Sequence, residues 1–124
     1  MLKITAVLLL LAVPANAGGL TVKDCVFRDA ANGWINCTFT NETKTPVAMF
    51  TFETTISEND RKVPWVSPSP RPTYQPISGG LEPMETATLS LNFGFLDKRA
   101  DLENLAIDVV VTGAFDVNGL EITN

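Results

Sequence analysis

Two cysteines, Cys25 and Cys37, and a complete lack of histidine set the limits on the chemistry open to this chain. Without an imidazole, Ser-His-Asp and Cys-His nucleophile arrangements are out of reach, and so are His-containing zinc sites. The thiols lack the Cys-x-x-Cys spacing that lowers a thiol pKa at a helix N-terminus, so the pair reads as a structural disulfide. Gly18-Gly19 and Gly79-Gly80 have neither the Lys nor the helix that a phosphate-binding loop requires. Carboxylates are the remaining route to catalysis, with Glu82 and Glu85 close in sequence and Asp97, Asp101 and Glu103 in one connection. Hydrolysis by such groups needs two of them facing a common cleft with separated pKa values, whereas acidic residues in turns are ordinarily solvated. Asp116-Val117-Asn118-Gly119-Leu120-Glu121 opens like a calcium loop but lacks its third ligand position and distant bidentate Glu, so it reads as a hairpin turn. The expectation is a protein with no catalytic residues, no cofactor and no metal.

Binding chemistry is better supplied. Residues 63–83 hold six of the eight prolines, at 64, 68, 70, 72, 76 and 83, together with Trp65, Arg71 and Tyr74. Prolines fix φ and lower the entropy lost on ordering, so such a segment presents its side chains in a nearly preset shape. Trp, Tyr and Arg are the residue types that dominate binding hot spots. Trp65, Arg71 and Tyr74 are therefore the candidate partner-binding residues, and so proline-rich a stretch is not expected to form regular sheet. The competing reading is an edge strand and crossover, with the aromatics packed down and the prolines guarding an exposed edge. Trp34 carries the same ambiguity, with packing between strands the expected outcome.

These groups need elements to position them, and the pattern is of strands. Asp29-Ala30-Ala31-Asn32-Gly33 is a turn flanked by β-rich runs. Folding the chain about Ala31 sets Cys25 opposite Cys37 and Phe27 opposite Ile35, so that both half-cystines share a face with Phe27, Ile35 and Phe39. Ala48, Phe50, Phe52 and Ile56 alternate with polar neighbours, and Ala87, Leu89, Leu91 and Phe93 do so more cleanly. Leu105, Ile107, Val109, Val111, Phe115 and Val117 repeat the pattern, with a bulge expected at Gly113 and a short last strand, Leu120 to Thr123, after Asn118-Gly119. Residues 97–104 suit a single helical turn. About six or seven short strands predict an all-β fold of two packed antiparallel sheets, a sandwich.

The element order, and the phrase Gly79-Gly80-Leu81-Glu82-Pro83-Met84-Glu85-Thr86 before an alternating strand, resemble small immunoglobulin-like or fibronectin-type-III-like modules of bacterial exported proteins. Those modules carry a similar Gly-Leu-x-Pro-Gly-Glu turn. Met84 stands here in place of the second Gly, and the cysteines join adjacent strands where antibody domains bridge the two sheets. The resemblance implies an immunoglobulin-like fold and carries no binding residues over, since such folds serve many unrelated functions.

Compartment follows from the opening residues. Lys3, the apolar run Ile4 to Val13 and Ala15-Asn16-Ala17 form a cleavable signal peptide over residues 1–17. The run is too short for a bilayer span, which takes about 20 residues. Residues 18–124 are then one exported domain, periplasmic or secreted, with no stable membrane insertion. The whole chain's net charge of −5, which loss of Lys3 makes more negative, and basic runs no longer than Arg61-Lys62 and Lys98-Arg99, argue against a nucleic-acid partner. Both basic pairs read as solvated surface. Asn36-Cys37-Thr38 and Asn41-Glu42-Thr43 match the N-glycosylation acceptor, which matters only in a eukaryotic route. The functional expectation is an extracytoplasmic, non-enzymatic interaction module for a protein partner, such as an accessory subunit of an envelope complex. Alternatives are a small acidic inhibitor of a secreted or periplasmic enzyme and, third, a carboxylate-based hydrolase.

Overall fold

A computed structural model describes residues 19–123, and the expected signal peptide lies outside them. Six strands follow in order, β1 (Leu20–Asp29), β2 (Trp34–Asn41), β3 (Val47–Glu58), β4 (Thr73–Leu81), β5 (Thr86–Asn92) and β6 (Leu105–Phe115). They form two three-stranded antiparallel sheets, ordered β1-β2-β5 and β4-β3-β6. Helical structure among the described residues is confined to 3-10 turns at Ala30–Asn32 and Leu102–Asn104, the second within the connection expected to coil. One apolar core draws on both sheets, with Leu20, Ile35, Phe39 and Leu91 from the first and Val47, Phe50, Phe52 and Val111 from the second. Phe39 and Phe50 meet there with ring centroids 4.9 Å apart.

The first hairpin has the expected register near its turn, where Phe27 pairs with Ile35. Asp29 caps the turn by accepting from the Asn32 N–H, and Gly33 closes it at φ 81°. A Cβ at Gly33 would lie 2.3 Å from the Gly94 carbonyl oxygen, so the turn and the β5–β6 connection touch at backbone distance. Farther along, Lys23 pairs with Thr38 and Val26 with Asn36, leaving Asp24 and Cys25 together opposite Cys37. Asp24 takes the extra place at φ 55°. That bulge resets the alternation, so Leu20 and Val22 before it and Cys25 and Phe27 after it all turn to the core. Cys25 and Cys37 are disulfide-bonded across the hairpin with Cα atoms 4.1 Å apart.

A second bulge changes what β6 buries. The register shifts beside Gly113, as expected, but an extra residue there flips the strand's faces. Ala114 goes fully into the core, Phe115 turns to the other face, and Val117 is 83% exposed in the following turn. The expectation that Phe115 and Val117 continue the core pattern is thus corrected. Asp116 Oδ1 accepts the N–H groups of Asn118 and Leu120, making the hairpin turn read from the sequence. The last strand reduces to one bridge, Phe115 with Glu121, backed by the Ile122 N–H on the Ala114 carbonyl.

The second half of the proline-rich segment is β4, an edge strand as in the competing reading, and not the irregular stretch otherwise expected. Pro76 pairs with Met49 at a sheet edge, where a missing N–H is tolerated. Gly79 and Gly80, at φ 80° and 71°, take up the register shift beyond it. The chain then turns through Glu82–Glu85, with the Glu85 N–H on the Glu82 carbonyl at 2.9 Å. Pro83 fixes the second position and Met84 takes φ 68° at the third, the geometry that favours glycine. Met84 is 71% exposed, so its side chain adds little packing to offset that conformation. Met84→Gly is expected to stabilise the protein by about 0.5–1 kcal/mol, read as a rise in the urea midpoint at unchanged slope.

Candidate functional site

Trp65 is the centre of the end of the molecule formed by the turn after β1, the loop 59–72 and the connection 93–104. The loop is pinned back onto β3, since Trp65 N–H and Val66 N–H both donate to the Ile56 carbonyl at 2.8 and 3.3 Å. Trp65 Nε1 donates to Glu58 Oε1 at 2.8 Å, and the same oxygen accepts the Asp101 N–H at 2.9 Å. Glu58 therefore ties the loop to the connection. The Arg61 guanidinium lies 4.1 Å from the Trp65 ring centroid and that of Arg99 lies 5.1 Å from it. Arg99 is held in turn by Asp97, with Nε to Oδ1 at 3.1 Å. One arginine from each of the basic pairs read as solvated surface, Arg61 and Arg99, thus meets the same indole.

The charges respond to these contacts. The backbone N–H of Asp101, and then the Trp65 indole, hold the Glu58 carboxyl below its usual range. Hydrogen bonds from the Arg99 guanidinium lower Asp97, and Asp97 raises Arg99 in return. A carboxylate lowered by folding stabilises the native state above its unfolded pKa and loses that stabilisation as pH falls through the folded value. The thermal midpoint is therefore expected to hold between about pH 5 and 7 and to decline below about pH 4, with a shift in tryptophan emission as Glu58 takes up its proton. Glu58→Gln should flatten part of that decline. An identical acid limb in the variant would show that the indole contact does not report on Glu58.

In the same connection as Arg99 is a hollow of about 290 Å³ lined by Ala30, Ala31, Leu96, Ala100, Phe95 and Leu102, with Asp97 and Lys98 as its charged members. Phe95 is 71% exposed and Leu102 55%, so two large apolar side chains flank an apolar recess in solvent. Neither residue stands out in the sequence, because the connection 93–104 shows no periodicity and its neighbours are charged.

The three residues expected to bind are placed differently from one another. Trp65 is half-buried under its two arginines, Arg71 is exposed in the loop, and Tyr74 is 58% exposed on β4 across from Thr51. Among the described residues no hydrogen bond or stacking contact joins them. Trp34, on the outer face of the first sheet, packs under Arg28 with the guanidinium 5.0 Å from its ring. The acidic residues considered for catalysis serve their own turns. Glu85 Oε1 accepts the Glu82 N–H, Asp97 holds Arg99, and Asp101 accepts from Glu103 N–H and Asn104 Nδ2. Among the described residues no helix is long and apolar enough to cross a membrane. No protein-family model matches the chain, and neither a curated protein nor a solved structure matches it.

Proposed function

We propose that the chain is an extracytoplasmic, non-enzymatic binding module of immunoglobulin-like sandwich build that holds a protein partner, as an accessory subunit of an envelope assembly. The sheet orders β1-β2-β5 and β4-β3-β6, with Glu121 adding a bridge to the end of β6, support the resemblance to such modules. The Cys25–Cys37 disulfide suits an oxidising compartment. The observation that carries the binding reading is Phe95 and Leu102 in solvent around the hollow, at the same end of the molecule as a tryptophan fixed in place by Glu58 and two arginines. An apolar side chain of the partner would fill the recess, and Arg71 and Tyr74 would extend the contact along the loop and β4.

Affinity capture from an envelope extract tests it, using the protein as bait beside Phe95→Asp with Leu102→Asp and beside Arg71→Ala with Tyr74→Ala. Both pairs are expected to lose a stoichiometric partner while the thermal midpoint stays within about 2 °C of the parent, since exposed side chains contribute little to stability. Capture unaffected by either pair would sink the reading. Trp65→Ala is a poor probe, because losing the Glu58 hydrogen bond and the ring beneath Arg61 and Arg99 would loosen the loop.

A further inference from the structure

Of the four edge strands, three carry a device that prevents pairing with another chain. β1 has a bulge with Lys23 and Asp24 on it, β4 has Pro76 and a register shift, and β6 has the bulge at Gly113 and packs along β1. β5 has none. Thr86–Asn92, Thr-Ala-Thr-Leu-Ser-Leu-Asn, contains no charge, proline or glycine, and its ladder with β2 runs from Trp34↔Asn92 to Thr40↔Thr86 without a shift.

The flanking bonds show which backbone groups face outward. Asn41 N–H donates to the Glu85 carbonyl at 3.1 Å and Phe93 N–H to the Gly33 carbonyl at 2.8 Å, each within an aligned pair of the same ladder. Hydrogen-bonded pairs alternate along an antiparallel ladder, so Ala87, Leu89 and Leu91 bond to β2. Thr86, Thr88, Ser90 and Asn92 then point their N–H and C=O groups to the open edge, where none has a backbone partner among the described residues.

We infer that this edge pairs with a second copy of the chain, β5 against β5, about a two-fold axis at Leu89. In that register Thr88 opposes Ser90 of the other copy and Thr86 opposes Asn92. Each opposed pair exchanges two backbone bonds, about eight in all, which uses every outward group. On the outer face the pairs are hydroxyl with hydroxyl and hydroxyl with amide, and on the inner face Leu89 meets its own symmetry mate while Ala87 meets Leu91. β5 itself brings no charge to the seam; the nearest is Arg28, whose guanidinium donates to the Ser90 hydroxyl at 3.1 Å on the outer face. The two three-stranded sheets become one continuous six-stranded sheet. At the Asn92 end the loop residues Val66, Ser67 and Ser69, with Glu53 of β3, border a small cavity of about 70 Å³ beside the strand. One strand pair buries little area, so the association is concentration-dependent.

Sedimentation equilibrium of the purified protein from micromolar to millimolar concentration is the test. The average mass should rise from one copy towards two. Thr88→Pro removes an outward N–H and sets its ring on the open side, leaving the β2 ladder in place, and should raise the midpoint concentration at least tenfold. Thr88→Lys with Ser90→Lys, which opposes like charges, should do the same. Mixing that double variant with Thr88→Glu and Ser90→Glu should restore a heterodimer, which a folding defect cannot do. A monomer throughout, a dimer indifferent to Thr88→Pro, or no rescue on mixing would each overturn self-pairing, as would a strand of another protein occupying the same edge.

Discussion

Asn41→Ala is expected to cost about 3–5 kcal/mol, enough to unfold much of the population at moderate temperature. Asn41 is fully buried at the end of β2. Its Nδ2 donates to the Thr45 carbonyl at 2.9 Å and the Leu81 carbonyl at 2.8 Å. Its Oδ1 accepts the Thr43 N–H at 2.9 Å and the Thr43 hydroxyl at 2.7 Å. The backbone of the same residue bonds to Glu85 and Met84 in the next turn. The side chain therefore fastens the β2–β3 turn to the end of β4, while the backbone of the same residue holds the β4–β5 turn. Truncation leaves several buried groups without partners, and their loss is not additive because Thr43 and Thr45 also bond each other. Asn41→Asp should be at least as damaging at neutral pH, since it turns two donors into acceptors facing two carbonyls. Urea unfolding of both variants checks this. A loss under about 1 kcal/mol for Asn41→Ala would show that water replaces the network.

Removing the disulfide, by reduction or by Cys25→Ala with Cys37→Ala, is expected to cost about 3 kcal/mol. The bond closes a loop of sequence separation 12, and its main effect in the chain-entropy account is to restrict the unfolded chain. Cys37 is fully buried and Cys25 packs against the core, so the double alanine variant adds a cavity contribution that reduction alone does not. Comparing the two separates cross-link from packing. The fold should survive both, because β2 is held by β1 on one side and β5 on the other. Equal urea midpoints with and without reductant would refute the stabilising role.

The parts legible in the sequence are those governed by neighbours along the chain. The first hairpin could be read because a short turn and strict alternation place Phe27 on Ile35. The clean ladder of β5 was legible for the same reason. β4 was legible only as one of two readings, because proline counts against strands in general while an edge position forgives it, and no local pattern says which strand lies at an edge. Phe115 was misplaced because the bulge at Gly113 was visible but its flip of the faces was not followed through to Ala114. Asn41 looked like a glycosylation acceptor, and its partners at Leu81 and Glu85 lie about a third of the chain away, where no local pattern reaches. The pairing of Trp65 with Arg99 is long-range in the same way.

The contact of Gly33 with Gly94 has a mechanical outcome. It bolts the tip of the first hairpin to the start of the segment bearing Phe95, and these are the opposite walls of the recess. The Phe93 N–H on the Gly33 carbonyl adds a second tie, so the backbone of one wall is expected to move only with that of the other. A visitor meets a mouth already cut to size and forfeits little freedom in shaping it.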